Sequence, residues 1–73
     1  MLVTSEHRRL LGEAVRARRK EAGLSQEKLA EKADLSTVFI SRIERGVESP
    51  TVSNLCKITR ALRVAVRDLV AGF

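Results

Sequence analysis

Leu24-Ser25-Gln26-Glu27-Lys28-Leu29-Ala30, followed after a short gap by Leu35-Ser36-Thr37-Val38-Phe39-Ile40-Ser41-Arg42-Ile43-Glu44-Arg45-Gly46, is where the fold of this chain is legible. The stretch reads as two short helices joined by a tight turn. Ser25 caps the first by accepting a free first-turn N–H, with Gln26 and Glu27 in the opening turn. Leu29, Ala30 and Ala33 share its inner face. Asp34 closes it, because a short polar side chain tolerates the left-handed conformation better than most. Leu35 then plugs the turn. Ser36 is a second cap and Gly46 a second stop. At about 100° per residue, Ile40 and Ile43 define the buried side of the second helix. Val38, Ser41, Arg42 and Arg45 fall on the opposite side, with Thr37 and Phe39 at the boundary.

Working outward, a first helix is expected over about Glu6 to Glu21, capped by Ser5 or Thr4. Leu11 and Val15 carry its inner stripe, with Leu10, Ala14 and Ala22 beside them. Gly23 is its stop. Gly12 inside a helix costs about 1 kcal/mol relative to Ala, which points to a close helix contact there. A fourth helix is expected to begin near Thr51, after Pro50, with Leu55, Ile58 and Leu62 at core spacing and an end at Arg63. A fifth, short one covers about Val66 to Val70, with Leu69 inward. No sustained period-two alternation signals a strand. The expected fold is an all-α, compact five-helix bundle, one domain over residues 1–73.

The chain has 73 residues, so its core is small. Cys56 is the sole cysteine, which excludes a disulfide framework and suits a reducing cytoplasm or a small buried site. No apolar run is long enough to span a membrane, and Met1 to Ser5 lacks the pattern of a secretory signal. A cytoplasmic protein is expected. Fourteen Lys and Arg against nine Asp and Glu give a net charge of +5, which favours polyanionic partners. Aromatic residues make up 3%, which weighs against sheets and grooves that stack unpaired bases. One His, one Cys and scattered carboxylates show no nucleophile–base spacing, phosphate loop or metal pattern. Neither an enzyme nor a cofactor, metal or small-molecule site is expected.

Leu24-Ser25-Gln26-x-x-Leu29-Ala30, Leu35-Ser36, Ile40-Ser41-x-Ile43-Glu44-x-Gly46, Pro50-Thr51 and Leu62-x-Val64 together resemble the Cro/phage-repressor (Xre-type) helix-turn-helix family. The resemblance covers about Leu11 to Val70. In size the chain is also similar to the controller proteins of restriction–modification systems. The likeness implies a lambda-repressor-like fold, a helix-turn-helix at about residues 26–45, and a second motif helix lying in the major groove of double-stranded DNA. Carried onto this chain, Thr37, Val38, Ser41 and Arg42 are the expected base readers. Gln26, Ser36 and Arg45 are expected at the backbone, and the start of the fourth helix adds Thr51, Ser53 and Asn54. Arg42 can offer two parallel donors to guanine, and Val38 apolar contact to a thymine methyl. On an isolated helix, Arg42 and Arg45 would read simply as solvated charges.

The resemblance also implies a buried salt bridge between Arg19 and Glu44. Phe39 is expected to pack rather than to read bases. The loop Gly46-Val47-Glu48-Ser49-Pro50 lacks the basic residues that many family members carry, and Glu48 is expected to repel phosphate. The cluster Arg16, Arg18, Arg19 and Lys20 reads mainly as a solvated face, and His7 as a surface residue. Val64, Val66, Val70 and Phe73 are expected to form a homodimer surface; the alternative is that Val66 and Val70 complete the core. The functional expectation is a transcription regulator on an inverted-repeat operator, repressor or activator. The rivals are an antitoxin of a toxin–antitoxin pair and a helical protein-interaction module without DNA binding.

Overall fold

A computed structural model describes residues 4–73 and contains five helices: α1 (Ser5–Glu21), α2 (Gln26–Ala33), α3 (Thr37–Glu44), α4 (Val52–Leu62) and α5 (Val66–Val70). Among the described residues there is no strand. Helices as short as α2 and α3 are marginal in isolation, since nucleation fixes several residues for one hydrogen bond. Caps and burial make up the difference.

Every helix start except that of α5 carries a side-chain cap. The hydroxyls of Thr4, Ser25, Ser36 and Thr51 accept from the N–H groups of His7, Lys28, Phe39 and Asn54 at 3.0–3.1 Å. The first cap is therefore Thr4, and Ser5 is already helical. At α5, Ala65 has no hydroxyl, and the Asp68 carboxylate instead accepts from the Ala65 N–H at 2.8 Å.

The first four helices end in one and the same way. A left-handed residue reverses the chain at Gly23 (φ 74°), Asp34 (φ 58°), Gly46 (φ 77°) and Arg63 (φ 60°). After each, the next N–H reaches back to a carbonyl in the last turn: Leu24 to Arg19, Leu35 to Ala30, Val47 to Arg42 and Val64 to Thr59, at 2.9–3.1 Å. The residue after each reversal is apolar, which is the hydrophobic companion of this stop. Leu24, Leu35 and Val64 pack against the core, whereas Val47 remains exposed. Arg63 takes this conformation without the help of glycine.

The core is built from Leu11, Val15, Leu29, Ala30, Ile40, Ile43, Leu55, Ile58, Leu62 and Leu69. Leu29, Ile40, Ile43, Ile58 and Val15 are fully buried, each contributing about 1.5–3 kcal/mol of transfer free energy. Ala14 packs at the edge, but Ala22, the residue that ends α1, is exposed. α3 packs against both α1 and α2, α2 against α4, and α5 against α1 and α4. The crossing of α1 and α3 is close: a Cβ on Gly12 would collide with the carbonyl oxygen of Ile43 and stand 2.9 Å from that of Glu44. The glycine is there because another backbone occupies the space of a side chain.

Candidate nucleic-acid interface

α3 has one buried and one exposed side. Ile40 and Ile43 are inaccessible to solvent, while Val38 is 67% exposed, and Thr37, Arg42 and Arg45 are also exposed. Ser41 is half-buried on the same outward side. Val38 and Arg42 stand one turn apart. Phe39 is half-buried and packs against the core, so its ring faces away from this surface.

The last turn of α3 is anchored from below. Arg19 Nε donates to Glu44 Oε2 at 2.6 Å and Nη2 donates to Oε1 at 3.0 Å, with side chains 10% and 3% exposed. Arg19 Nη1 donates to the Leu24 carbonyl at 2.8 Å. Gln26 Nε2 donates to Glu44 Oε1 at 3.0 Å. One carboxylate thus ties the end of α1 and the start of α2 to the end of α3. The hydrogen bonds to Glu44 raise the Arg19 pKa above its ordinary value, against the opposing effect of burial. Gln26, expected from the sequence at a phosphate, donates one amide N–H to Glu44, and its second N–H and its carbonyl oxygen are not used in that bond. Its half-buried position at the first residue of α2 leaves the backbone N–H at the helix N-terminus.

Two polar contacts on the outward face have no counterpart in the sequence reading. Arg42 Nε donates to Glu48 Oε1 at 3.1 Å, across the turn at Gly46. Arg45 Nε lies 3.3 Å from Ser41 Oγ and 3.4 Å from the Ser41 carbonyl. The opposite charges flanking Gly46 were the available signal for the first. Glu48 is therefore a partner of the expected base reader and not only a negative charge beside it.

Ser36 and Thr51 act as caps through their oxygens, and each hydroxyl retains its own proton to donate. Ser53 is exposed and Asn54 half-buried in the first turn of α4. Of the four residues assigned to a dimer surface, Val64 and Val70 pack against the core. The reversal at Arg63 and the short α5 bring one side of each against the core and leave both half-buried. Val66 and Phe73 stay 37% and 39% exposed. The Phe73 ring stacks on His7, with centroids 4.9 Å apart, and His7 Nδ1 is buried without a hydrogen-bond partner. No group of His, Cys, Asp or Glu among the described residues is placed to hold a metal ion. No helix among them is long and apolar enough to cross a membrane.

A family model described as helix-turn-helix matches residues 15–69. The chain belongs to this helix-turn-helix family, of the Cro/phage-repressor type. Control protein C.BamHI of Bacillus amyloliquefaciens is 42% identical over 69 residues, covering 93% of this chain and 85% of the relative. The crystal structure of the restriction–modification controller protein C.AhdI from Aeromonas hydrophila has a TM-score of 0.85 at 31% identity, covering 88% of this chain and 97% of that one. The P22 c2 repressor, solved in complex with a synthetic operator, has a TM-score of 0.79 at 35% identity, covering 86% and 96%. The match spans only 29% of the full-length repressor C2 of Salmonella phage P22. α2, the Asp34–Ser36 turn and α3 all lie within the matched residues.

Proposed function

We propose that this chain is a sequence-specific reader of double-stranded DNA that regulates transcription in the cytoplasm, and that it acts as a homodimer on an inverted-repeat operator. The observation that carries the reading is the two-sidedness of α3. Its inner side chains are sealed in the core and its end is clamped through Glu44, while Val38 and Arg42 project one turn apart. A rigid helix with such a face fits a major groove about 12 Å wide, since a helix with its side chains is about 10–12 Å across.

In this reading Arg42 pairs with guanine, Val38 contacts a thymine methyl, and Thr37 and Ser41 bond base edges nearby. Arg45, Ser36, the backbone N–H of Gln26, and Thr51, Ser53 and Asn54 at the start of α4 meet phosphates. Arg19 and Glu44 set the pose of the helix and touch no DNA. The similar C.BamHI and C.AhdI, named as controller proteins, and the P22 c2–operator complex support it. One α3 reads only a few base pairs, so a dimer places two of them one DNA turn apart, about 34–36 Å. Val66 and Phe73, with the edges of Val64 and Val70, supply the apolar surface for it.

Selection of bound sequences from a random duplex pool tests the proposal. The expected product is a two-fold symmetric site with half-sites one helical turn apart. Recovery of no preferred sequence at moderate salt would overturn it.

A further inference from the structure

We propose that Glu48 is a positioning residue for base recognition: it holds the Arg42 guanidinium by its Nε edge and leaves the two terminal amines free to face a guanine. The inference rests on the reading of Arg42 as a base-contacting residue.

A guanidinium has five N–H donors in a fixed fork. The Glu48 carboxylate takes the Nε–H, at 3.1 Å. That bond uses neither Nη1 nor Nη2 on a side chain that is 47% exposed, and this pair of donors matches the N7 and O6 acceptors of guanine in the major groove. An arginine without such a support must give up rotamer freedom when it binds. Here part of that ordering is already present.

The backbone delivers the carboxylate to this place. Gly46 N–H bonds to the Ile43 carbonyl at 3.0 Å, and Val47 N–H bonds to the carbonyl of Arg42 itself at 3.1 Å. Gly46 at φ 77° turns the chain back along α3, so Glu48 lies beside the residue it supports. This pair differs from other surface pairs. Arg9–Glu6, Arg9–Glu13 and Lys28–Glu31 each lie along one helix, with side chains more than half exposed. Arg42–Glu48 joins the outward face of α3 to the following loop, with side chains 47% and 32% exposed.

The arrangement makes a distinctive demand. A carboxylate near phosphates weakens binding to all DNA. As a support for Arg42 it strengthens the choice among bases. Removing it should therefore move affinity and selectivity in opposite directions.

The test is random-pool selection with the full chain and its Glu48→Ala and Arg42→Ala variants, accompanied by direct binding to a random-sequence duplex and by urea melts showing that both variants fold. The wild-type chain is expected to enrich guanine at one position of each half-site, and Arg42→Ala to lose that preference. Glu48→Ala is expected to bind the random duplex a few-fold more tightly while its preference for that guanine falls about fivefold. If Glu48→Ala binds all DNA more tightly and keeps the full guanine preference, Glu48 is only a repelling charge and the inference fails alone. If Arg42→Ala keeps the guanine preference, the base-reading role of Arg42 fails and takes the inference with it.

Discussion

Arg19 and Glu44 meet side-on, with two hydrogen bonds of 2.6 and 3.0 Å between nearly inaccessible side chains drawn from α1 and α3. The remaining Arg19 amine holds the Leu24 carbonyl, and Gln26 occupies the same Glu44 oxygen as Arg19 Nη2. The pair is thus the junction at which α1, α2 and α3 are held in one orientation.

Removing one member of such a pair leaves a buried charge without compensation. Glu44→Ala is expected to lose about 3–5 kcal/mol. A domain of this size has roughly 4–11 kcal/mol in total, so the variant should lose about a third or more of its stability at 25 °C. Urea melts measure the loss directly. A midpoint equal to that of the wild type would show that the junction is not structural.

Gly12→Ala sets two effects against each other. Alanine is the better helix former by about 1 kcal/mol. Its Cβ would collide with the Ile43 carbonyl oxygen, and neither backbone can yield alone. Overpacking costs about 1–3 kcal/mol, so the variant is expected to be less stable despite its propensity. A rise in thermal midpoint would mean that α1 and α3 separate easily.

The left-handed stops make opposite predictions. Gly46→Ala puts a side chain at φ 77° with its Cβ 3.2 Å from Arg9 Cα, and should cost about 1–2 kcal/mol. Arg63→Gly relieves a left-handed arginine at φ 60° but frees the unfolded chain, for a net gain of about 0.5 kcal/mol. Chemical denaturation of the two variants should shift in opposite senses.

Arg42 and Arg45 should separate in binding. Arg42→Ala is expected to lose about 1–3 kcal/mol on the selected site and little on random duplex. Arg45→Ala should weaken both, with a salt dependence reduced by about one counterion. Titrations at several salt concentrations distinguish them; equal behaviour of the two variants would remove the division between reading and anchoring.

Val66→Asp tests the dimer. Position 66 opens α5, where a carboxylate suits the helix dipole, so folding should survive. Sedimentation is expected to show a dimer for the wild type and a monomer for the variant, with cooperative operator binding lost. A wild-type monomer at high micromolar concentration would sink the proposed assembly.

The helix pattern is legible in the sequence because its signals are local. Ser25, Ser36 and Thr51 cap their own first turns, and Gly23, Asp34 and Gly46 reverse the chain immediately after the helices they end. The inward positions of Leu29, Ile40, Ile43, Ile58 and Leu69 follow from helical spacing alone. The outward face of α3 is the other side of that same pattern. Polar partnerships were harder to see. Gln26 reads as a phosphate contact, and nothing in its sequence position announces its bond to Glu44, eighteen residues on. Glu48 read as a bare charge because its meeting with Arg42 depends on the reversal at Gly46. That Val64 and Val70 also pack against the core was not legible, because the left-handed Arg63 that turns this segment carries no glycine signature.

Residue order, then, sufficed to set the five helices, their ends, their inner faces and the family, since caps, stops and periodicity act within a few residues of themselves. The pairing of charges came from packing. Arg19 with Glu44, Gln26 with Glu44 and Arg42 with Glu48 exist because α1 and α3 cross closely at Gly12 and the chain doubles back at Gly46. Such contacts join residues whose separation along the chain bears no fixed relation to their distance in space.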